Sequence, residues 1–198
     1  GRAPGPSTYV FTSLGCPYRC SFCSIWPQYG GAYHQREVES VIAELKTLDE
    51  YEVVRFADAN TLVDLGFARR LFERIAAEGI EKTFIMDIRA DTAAKNPDLI
   101  ALLAKGGLRV VITGFESPNR EELQRYGKNL KADLIGEAIK DVHDNGVMLR
   151  GNYIVRPDYG EAQFAALAEY AARHTVAFAG YTILTPMPGT PFHREVAG

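Results

Sequence analysis

Strand-like and helix-like segments follow one another six times along this chain of 198 residues, and few folds accept that alternation. Residues 8–14 (TYVFTSL) are β-rich and apolar. Residues 37–48 place Val38, Val41, Ile42, Leu45 and Leu48 on one helical stripe. Residues 53–57 read as a short buried strand. Ala68, Leu71, Phe72 and Ile75 repeat the helical spacing, with Gly79 where a cap belongs. The pattern continues through a strand at 83–88, a helix opened by Asn96-Pro97 and a strand at 108–115. A short polar helix at 119–126 follows, then a stripe of Leu134, Ile135, Ala138, Ile139 and Val142. The series closes with a strand at 147–155, a helix carrying Phe164, Leu167, Ala168 and Ala171, and a last strand at 177–184, whose following helix is expected to be cut off. Strands separated by helices pair in parallel through right-handed crossovers. An open doubly wound sheet and a curved, barrel-like sheet both satisfy this, and in either the ligands sit beyond the carboxyl ends of the strands. Cys16, Asp58, Arg89, Glu116, Asn152 and Pro186 all fall at or near such ends.

The three cysteines narrow the chemistry. Cys16, Cys20 and Cys23 lie within eight residues, directly after the first strand, in the spacing C-x3-C-x2-C. An odd, tight set is a poor disulfide framework. Three thiolates on a short loop suit three irons of a cubane, which leaves the fourth iron open to a small molecule. A zinc site needing a fourth ligand, with His34 the nearest histidine, and a set of inert core thiols are the other readings. Charge adds exclusions. The net charge is −3, and no Lys/Arg run demands a nucleic-acid partner. No apolar stretch is long enough to span a bilayer and no secretion signal is evident, so a cytoplasmic, reducing compartment is expected. Residues 1–7 read as a linker or domain edge and 8–198 as one domain. The absence of an initial Met suggests a domain excised from a longer protein. His143 and His174 lie in helix patterns and are expected to be solvated, whereas His34 and His193 lie near loop ends.

The cysteine loop after the first strand, with aromatic Phe22 before Cys23, inside an alternating β/α chain, resembles the radical SAM superfamily over essentially the whole length. The resemblance implies a (βα)6 partial TIM barrel, an α/β fold with outer helices. It implies a [4Fe–4S] cluster on Cys16, Cys20 and Cys23, and S-adenosylmethionine (SAM) chelating the open iron. An electron from the cluster then cleaves SAM to methionine and a 5′-deoxyadenosyl radical, drawn from a donor such as flavodoxin or ferredoxin. Several contacts to SAM follow from the family pattern. Phe22 packs beside adenine. Asp58-Ala59-Asn60 stands where the family often has Gly-Gly-Glu, with the Asp58 carboxylate facing the SAM amino group; an Asp/Asn turn or helix cap is the alternative. Arg89 clamps the SAM carboxylate or pairs with Asp91 or Glu116. Glu116 accepts from the ribose hydroxyls. Asn152 and Ile154 read the ribose or substrate and the purine face, and Thr185-Pro186 begins a Pro-x-Pro-Gly-Thr segment over SAM.

Within the superfamily, Phe22-Cys23-Ser24-Ile25-Trp26, Asp58-Ala59-Asn60-Thr61, Arg89-Ala90-Asp91-Thr92 and residues 184–190 resemble cobalamin-dependent radical SAM proteins, the hopanoid C-3 methylase-like and anaerobic Mg-protoporphyrin ester cyclase-like groups. That implies a methyltransferase or related enzyme acting on a small-molecule or lipid-like substrate, with cobalamin held by a preceding domain. All three cysteines are committed to one cluster, so these residues hold neither an auxiliary cluster on further cysteines nor a methyl-carrying cysteine. A radical SAM-like binding module without turnover is the rival class.

Overall fold

The computed structural model describes residues 5–128, 130, 132–174 and 177–197. The chain runs β1 (Ser7–Val10), β2 (Ser13–Gly15), α1 (Ile25–Gln28), β3 (Tyr33–Gln35), α2 (Val38–Leu45), β4 (Val53–Phe56), α3 (Leu65–Ala77), β5 (Thr83–Asp87), α4 (Ala90–Ala94), α5 (Pro97–Lys105), β6 (Leu108–Glu116), α6 (Arg120–Arg125), α7 (Ala132–Asp144), β7 (Met148–Val155), α8 (Glu161–Arg173), β8 (Phe178–Ile183) and α9 (Pro191–Ala197). Six strands form one sheet in the order β1-β4-β5-β6-β7-β8, every pair parallel. β2 and β3 make a separate antiparallel pair. The (βα)6 expectation therefore holds, with β1 and β8 as the two sheet edges among the described residues.

Alternation along each strand sorts the side chains. Val54 and Phe56 of β4 and Phe84 and Met86 of β5 face the helices and are fully buried. There Phe56 stacks on Phe84 at 5.2 Å between ring centroids, and Phe72 of α3 closes on both edge-on. Each such ring, once removed from water, stabilises the fold by about 1.5–3 kcal/mol. The predicted stripes of α2, α3 and α5 supply the other half of this layer through Ile42, Leu45, Leu71, Ile75, Ile100 and Leu103. The α7 stripe does so through Ile135, Ala138, Ile139 and Val142; the Leu134 side chain lies outside the described residues. Asp64 caps α3 by accepting from Phe67 N at 2.8 Å, and Gly79 follows that helix in the left-handed region (φ +65°), as expected of a cap.

Four details differ from the sequence reading. The first strand is two: β1 ends at Val10, and β2 leaves the main sheet to pair with β3. The linker is shorter than seven residues, because the Pro6 carbonyl accepts from Glu52 N and Val53 N and β1 begins at Ser7; residues 1–4 lie outside the description. A helix, α9, does follow β8. His174 is half-buried rather than fully solvated: its ring lies 4.5 Å from Tyr170 and stacks on Phe115 at 6.3 Å.

The opposite face of the sheet encloses an open interior, the lumen. An upper cavity of about 580 Å³ lies at the carboxyl ends of the strands. A lower one of about 570 Å³ lies toward their amino ends, among Tyr9, Val53, Ile85, Val110, Met148 and Phe178. Ile112, Arg150 and Gly180 line both, so the two are continuous.

Candidate active site

The loop of residues 16–32 is closed at its base by β2 and β3. Gly15 begins it with φ +81°, and a Cβ there would stand 2.1 Å from the Ala32 carbonyl oxygen; only glycine fits immediately before Cys16. Beyond Cys16 the loop is fastened at both flanks. The indole Nε1–H of Trp26 donates to the Cys20 carbonyl at 2.9 Å, while Arg19 covers the Trp26 ring at 4.8 Å. Ser21 N donates to Tyr126 O at 3.0 Å, Ser21 Oγ to Arg125 O at 2.9 Å, and Phe192 N to Ser21 O at 3.0 Å, tying the loop to the end of α6 and the start of α9. All three cysteines are free thiols and line the upper cavity. Burial pushes the Cys16 and Cys20 thiols up, while the nearby positive charges of Lys128 and Arg89 act in the opposite sense.

Asp58 lies behind this wall rather than on it, against the expectation of a contact to SAM. Its carboxylate accepts from Thr12 N at 2.8 Å, Thr12 Oγ1 at 2.6 Å and Ser13 N at 2.9 Å, all buried. The physical cause is the break between β1 and β2. There the chain leaves the sheet, its amides lose their ladder partners, and a buried carboxylate takes them. This long-range tether, 45 and 46 residues back along the chain, is neither the expected contact nor the local turn or helix cap offered as the alternative. The neighbouring Ala59 and Asn60 do reach the cavity. Asn60 is 4% exposed, and among the described residues neither its amide nitrogen nor its oxygen has a hydrogen-bond partner. A buried amide left bare costs free energy unless something fills the space before it.

Arg89 and Glu116 are both on the wall. Arg89 holds Asp91 in a two-point bridge of 2.9 Å each and lies over the Tyr18 ring at 4.2 Å. Of the alternatives for Arg89, pairing with Asp91 is what the structure shows. Glu116 closes β6 at a register shift with φ +63°, a left-handed geometry in a non-glycine residue that costs about 1–3 kcal/mol. It is held by Lys128, whose Nζ lies 2.5 Å from the Glu116 carboxylate and 3.1 Å from Gly114 O. Gly114 is the floor beneath this pair, since a Cβ there would meet Glu116 Oε1 at 2.1 Å and Lys128 Nζ at 2.6 Å.

Phe22, Asn152, Ile154 and Thr185 also line the cavity. Phe22 meets Tyr126 edge-on at 5.4 Å. Pro186 is exposed and off the wall; Met187 takes its place. Sequence reasoning missed Lys128, Arg150 and Asp87, all of which line the cavity. Arg150 and Asp87 had a signal, being polar residues at lumen-facing positions of apolar strands. Lys128 had none, because it sits in an irregular segment after α6.

A sequence profile described as the Radical SAM superfamily matches residues 10–171. The chain belongs to the radical SAM superfamily. That superfamily uses a [4Fe–4S] cluster and SAM. Among curated relatives, this radical SAM domain is 27% identical over 191 residues to the hopanoid C-3 methylase of Methylococcus capsulatus, covering 96% of this chain and 37% of the relative. It is 31% identical over 189 residues to an uncharacterised methyltransferase of Pyrococcus horikoshii, covering 93% and 41%. It thus spans well under half the length of these relatives. Among solved structures, the radical SAM methyltransferase TsrM of Kitasatospora setae, with cobalamin and [4Fe–4S] cluster bound, superposes with a TM-score of 0.85 at 19% identity over 98% of this chain and 39% of that one. The cobalamin-dependent SAM radical enzyme OxsB, with aqua-cobalamin and SAM bound, does so with 0.78 at 17% identity over 96% and 35%. These confirm a partial-barrel fold for the radical SAM domain.

The residues present fit the superfamily's cofactors. Among the described residues no three His, Cys, Asp or Glu side chains are grouped as one metal ion requires, and His34 is exposed and off the cavity wall. A cubane instead takes its thiolates on separate irons, from a loop that presents them to one open space.

Proposed function

We propose that Cys16, Cys20 and Cys23 hold a [4Fe–4S] cluster, that SAM occupies the adjoining cavity, and that the domain cleaves SAM reductively. The observation that carries the reading is the meeting, in one cavity of about 580 Å³, of three free thiols with the bare, buried amide of Asn60. When bound, the cluster supplies the electron that splits SAM into methionine and a 5′-deoxyadenosyl radical. The chain's own residues bind and shield. Asn60 offers a donor and an acceptor to the polar methionyl end. Arg89 and Lys128, each already holding a carboxylate, set a fixed positive potential beside the thiolates. Glu116 turns a carboxylate oxygen toward a diol, and its strained backbone fixes that direction. Phe22 and Ile154 form an apolar part of the wall, suited to a purine face, and Ala59, Asn152 and Thr185 line the same cavity.

In the whole protein we infer a cobalamin-dependent methylation or related radical reaction on a small-molecule or lipid-like substrate. Cobalamin would be held by a preceding domain and electrons delivered by a flavodoxin- or ferredoxin-type donor, in the reducing cytoplasm. What supports this is the run of methylases and methyltransferases among the relatives. No described helix is long and apolar enough to cross a membrane.

Anaerobic reconstitution with iron and sulfide, followed by dithionite and SAM, tests the cleavage. The expected result is a brown protein absorbing near roughly 400 nm that releases 5′-deoxyadenosine, and a Cys20→Ala variant that does neither. A colourless protein that takes up one zinc ion, or a clustered protein that binds SAM without cleaving it, would refute the reading.

A further inference from the structure

Six charged side chains other than the cysteines line the continuous lumen: Arg55, Asp87, Arg89, Glu116, Lys128 and Arg150. Three of its four cations have a carboxylate. Arg55 Nη2 lies 2.8 Å from Asp87, Arg89 bridges Asp91, and Lys128 bridges Glu116. The Arg150 side chain, exposed to solvent in the open lumen, makes no hydrogen bond or ion pair among the described residues, although its charge acts on nearby Asp87. One positive charge is therefore left over, at mid-depth in the lumen.

Its position is specific. Arg150 shares a rung of the sheet with Ile112 on one side and Phe178 on the other, and Ile112 in turn is level with Asp87. Along β7 it lies two residues below Asn152 and four below Ile154. At about 3.3 Å per residue that is roughly 7 and 13 Å deeper than the two strand positions proposed to meet the cofactor. Beneath it the lumen turns apolar at Tyr9, Ile85, Val110 and Met148. Room is kept in front of it: a Cβ on Gly180 would stand 2.7 Å from Asn152 Oδ1 and 3.4 Å from Arg150 Nη2. On the neighbouring rung the Nε of Arg55 is buried with no hydrogen-bond partner among the described residues.

We infer that Arg150 is the anchor for a single carboxylate on the substrate, received in the lumen between the SAM cavity above and the apolar chamber below. The inference rests on the proposed function, and it names the substrate class: an organic monocarboxylate with an apolar body. A guanidinium with no internal partner offers planar two-point donation to a carboxylate. One surplus charge matches a monoanion; a phosphate dianion would leave the lumen negative. A neutral lipid would leave the guanidinium facing apolar matter with nothing to pair, which is costly.

The probe is 4-phenylbutyrate, with 4-phenylbutyramide as its neutral isostere, measured by equilibrium dialysis against the full 198-residue chain. Wild type is expected to bind the acid about tenfold more tightly than the amide, the span of one charge-assisted contact. Arg150→Gln is expected to bring the acid down to the affinity of the amide and leave the amide unmoved, and Arg150→Lys to recover part of the loss. Circular dichroism checks that the variants fold, which they should, since Arg150 has no internal partner to lose. Equal binding of acid and amide by wild type, an acid that does not bind it, or an acid affinity that survives Arg150→Gln would overturn the inference. Probe binding is read without turnover, whereas SAM cleavage is read as released 5′-deoxyadenosine, so either reading can fall while the other stands.

Discussion

The two walls of the upper cavity are built on opposite plans. On the wall made by the cysteine loop and the ends of β4–β6, the charged groups are already engaged within the protein, Arg89 with Asp91 and Glu116 with Lys128, and behind it Asp58 holds Thr12 and Ser13. On the wall made by β7 and β8, Arg150 and Asn152 have no such partners, and Gly180 leaves space before them. A wall whose charged groups are paired internally holds its shape before any ligand arrives, which suits a cofactor that is the same in every turnover, and the bare Asn60 amide is the one group on it kept for that cofactor among those described. A wall with unsatisfied groups is completed by what binds, which suits the proposed contacts to SAM at Asn152 and to the substrate deeper down at Arg150. Substitutions should therefore separate cleanly. On the first wall they should damage stability or the cluster, and on the second only binding.

The largest effect is expected at the loop. Cys20→Ala should abolish the absorption near roughly 400 nm and all release of 5′-deoxyadenosine while the chain still folds, because Cys20 fastens the loop through its carbonyl to Trp26 and not through its sulfur. A variant that keeps turnover would break the comparison at its strongest point. Next comes Lys128→Met. It leaves Glu116, whose side chain is only 9% exposed, as an unpaired buried carboxylate, and should lower unfolding free energy in urea by roughly 3–5 kcal/mol. Adding Glu116→Gln should restore much of that, because the double variant removes the buried charge as well as its partner. Equal losses in the single and double variants would show that the pair is not the engaged unit described here.

How much of this the sequence disclosed depends on whether the signal was local. The six β/α steps were legible because each element declares itself by its own periodicity, as in the expected α3 stripe of Leu71, Phe72 and Ile75, whose Phe72 meets Phe56 and Phe84. The cysteines were legible because three ligands share one loop. Asp58 was misread because its role depends on a strand break 46 residues away, where Thr12 and Ser13 leave the sheet. Nothing in Thr12-Ser13-Leu14 distinguishes a continued β1 from the short β2 that turns toward β3, since both are extended. Lys128 was invisible for the same reason. Its partner Glu116 lies across α6, and the contact exists only because β6 ends in a left-handed turn.

A moderate effect is expected on the open wall. Asn152→Ala removes a group with no hydrogen bond inside the protein, so its stability should stay within about 0.5 kcal/mol of wild type. The dissociation constant for SAM, read by equilibrium dialysis on the reconstituted protein, should rise severalfold. Loss of stability without loss of binding would mean that this wall, too, is internally engaged.

The smallest effect asks what holds the open wall in place if its lumen side is unsatisfied. The structure puts the support behind it, where Phe115 of β6, Tyr170 of α8 and the ring of His174 pack together. Burial there pushes the His174 pKa below its ordinary 6.5, with the Arg173 charge adding to the shift. A histidine whose pKa is depressed on folding contributes stability that is complete above the unfolded value and is lost as pH falls below it toward the folded pKa, because the unfolded chain takes up the proton first. The melting temperature should therefore decline slightly on going from neutral pH to below about 6.5. His174→Gln, which has no such proton to gain, should flatten that part of the profile while melting somewhat lower at neutral pH for want of the ring contacts. A profile unchanged by the substitution would place the support for β6 and β7 elsewhere, and with it the reason an open wall can stay open.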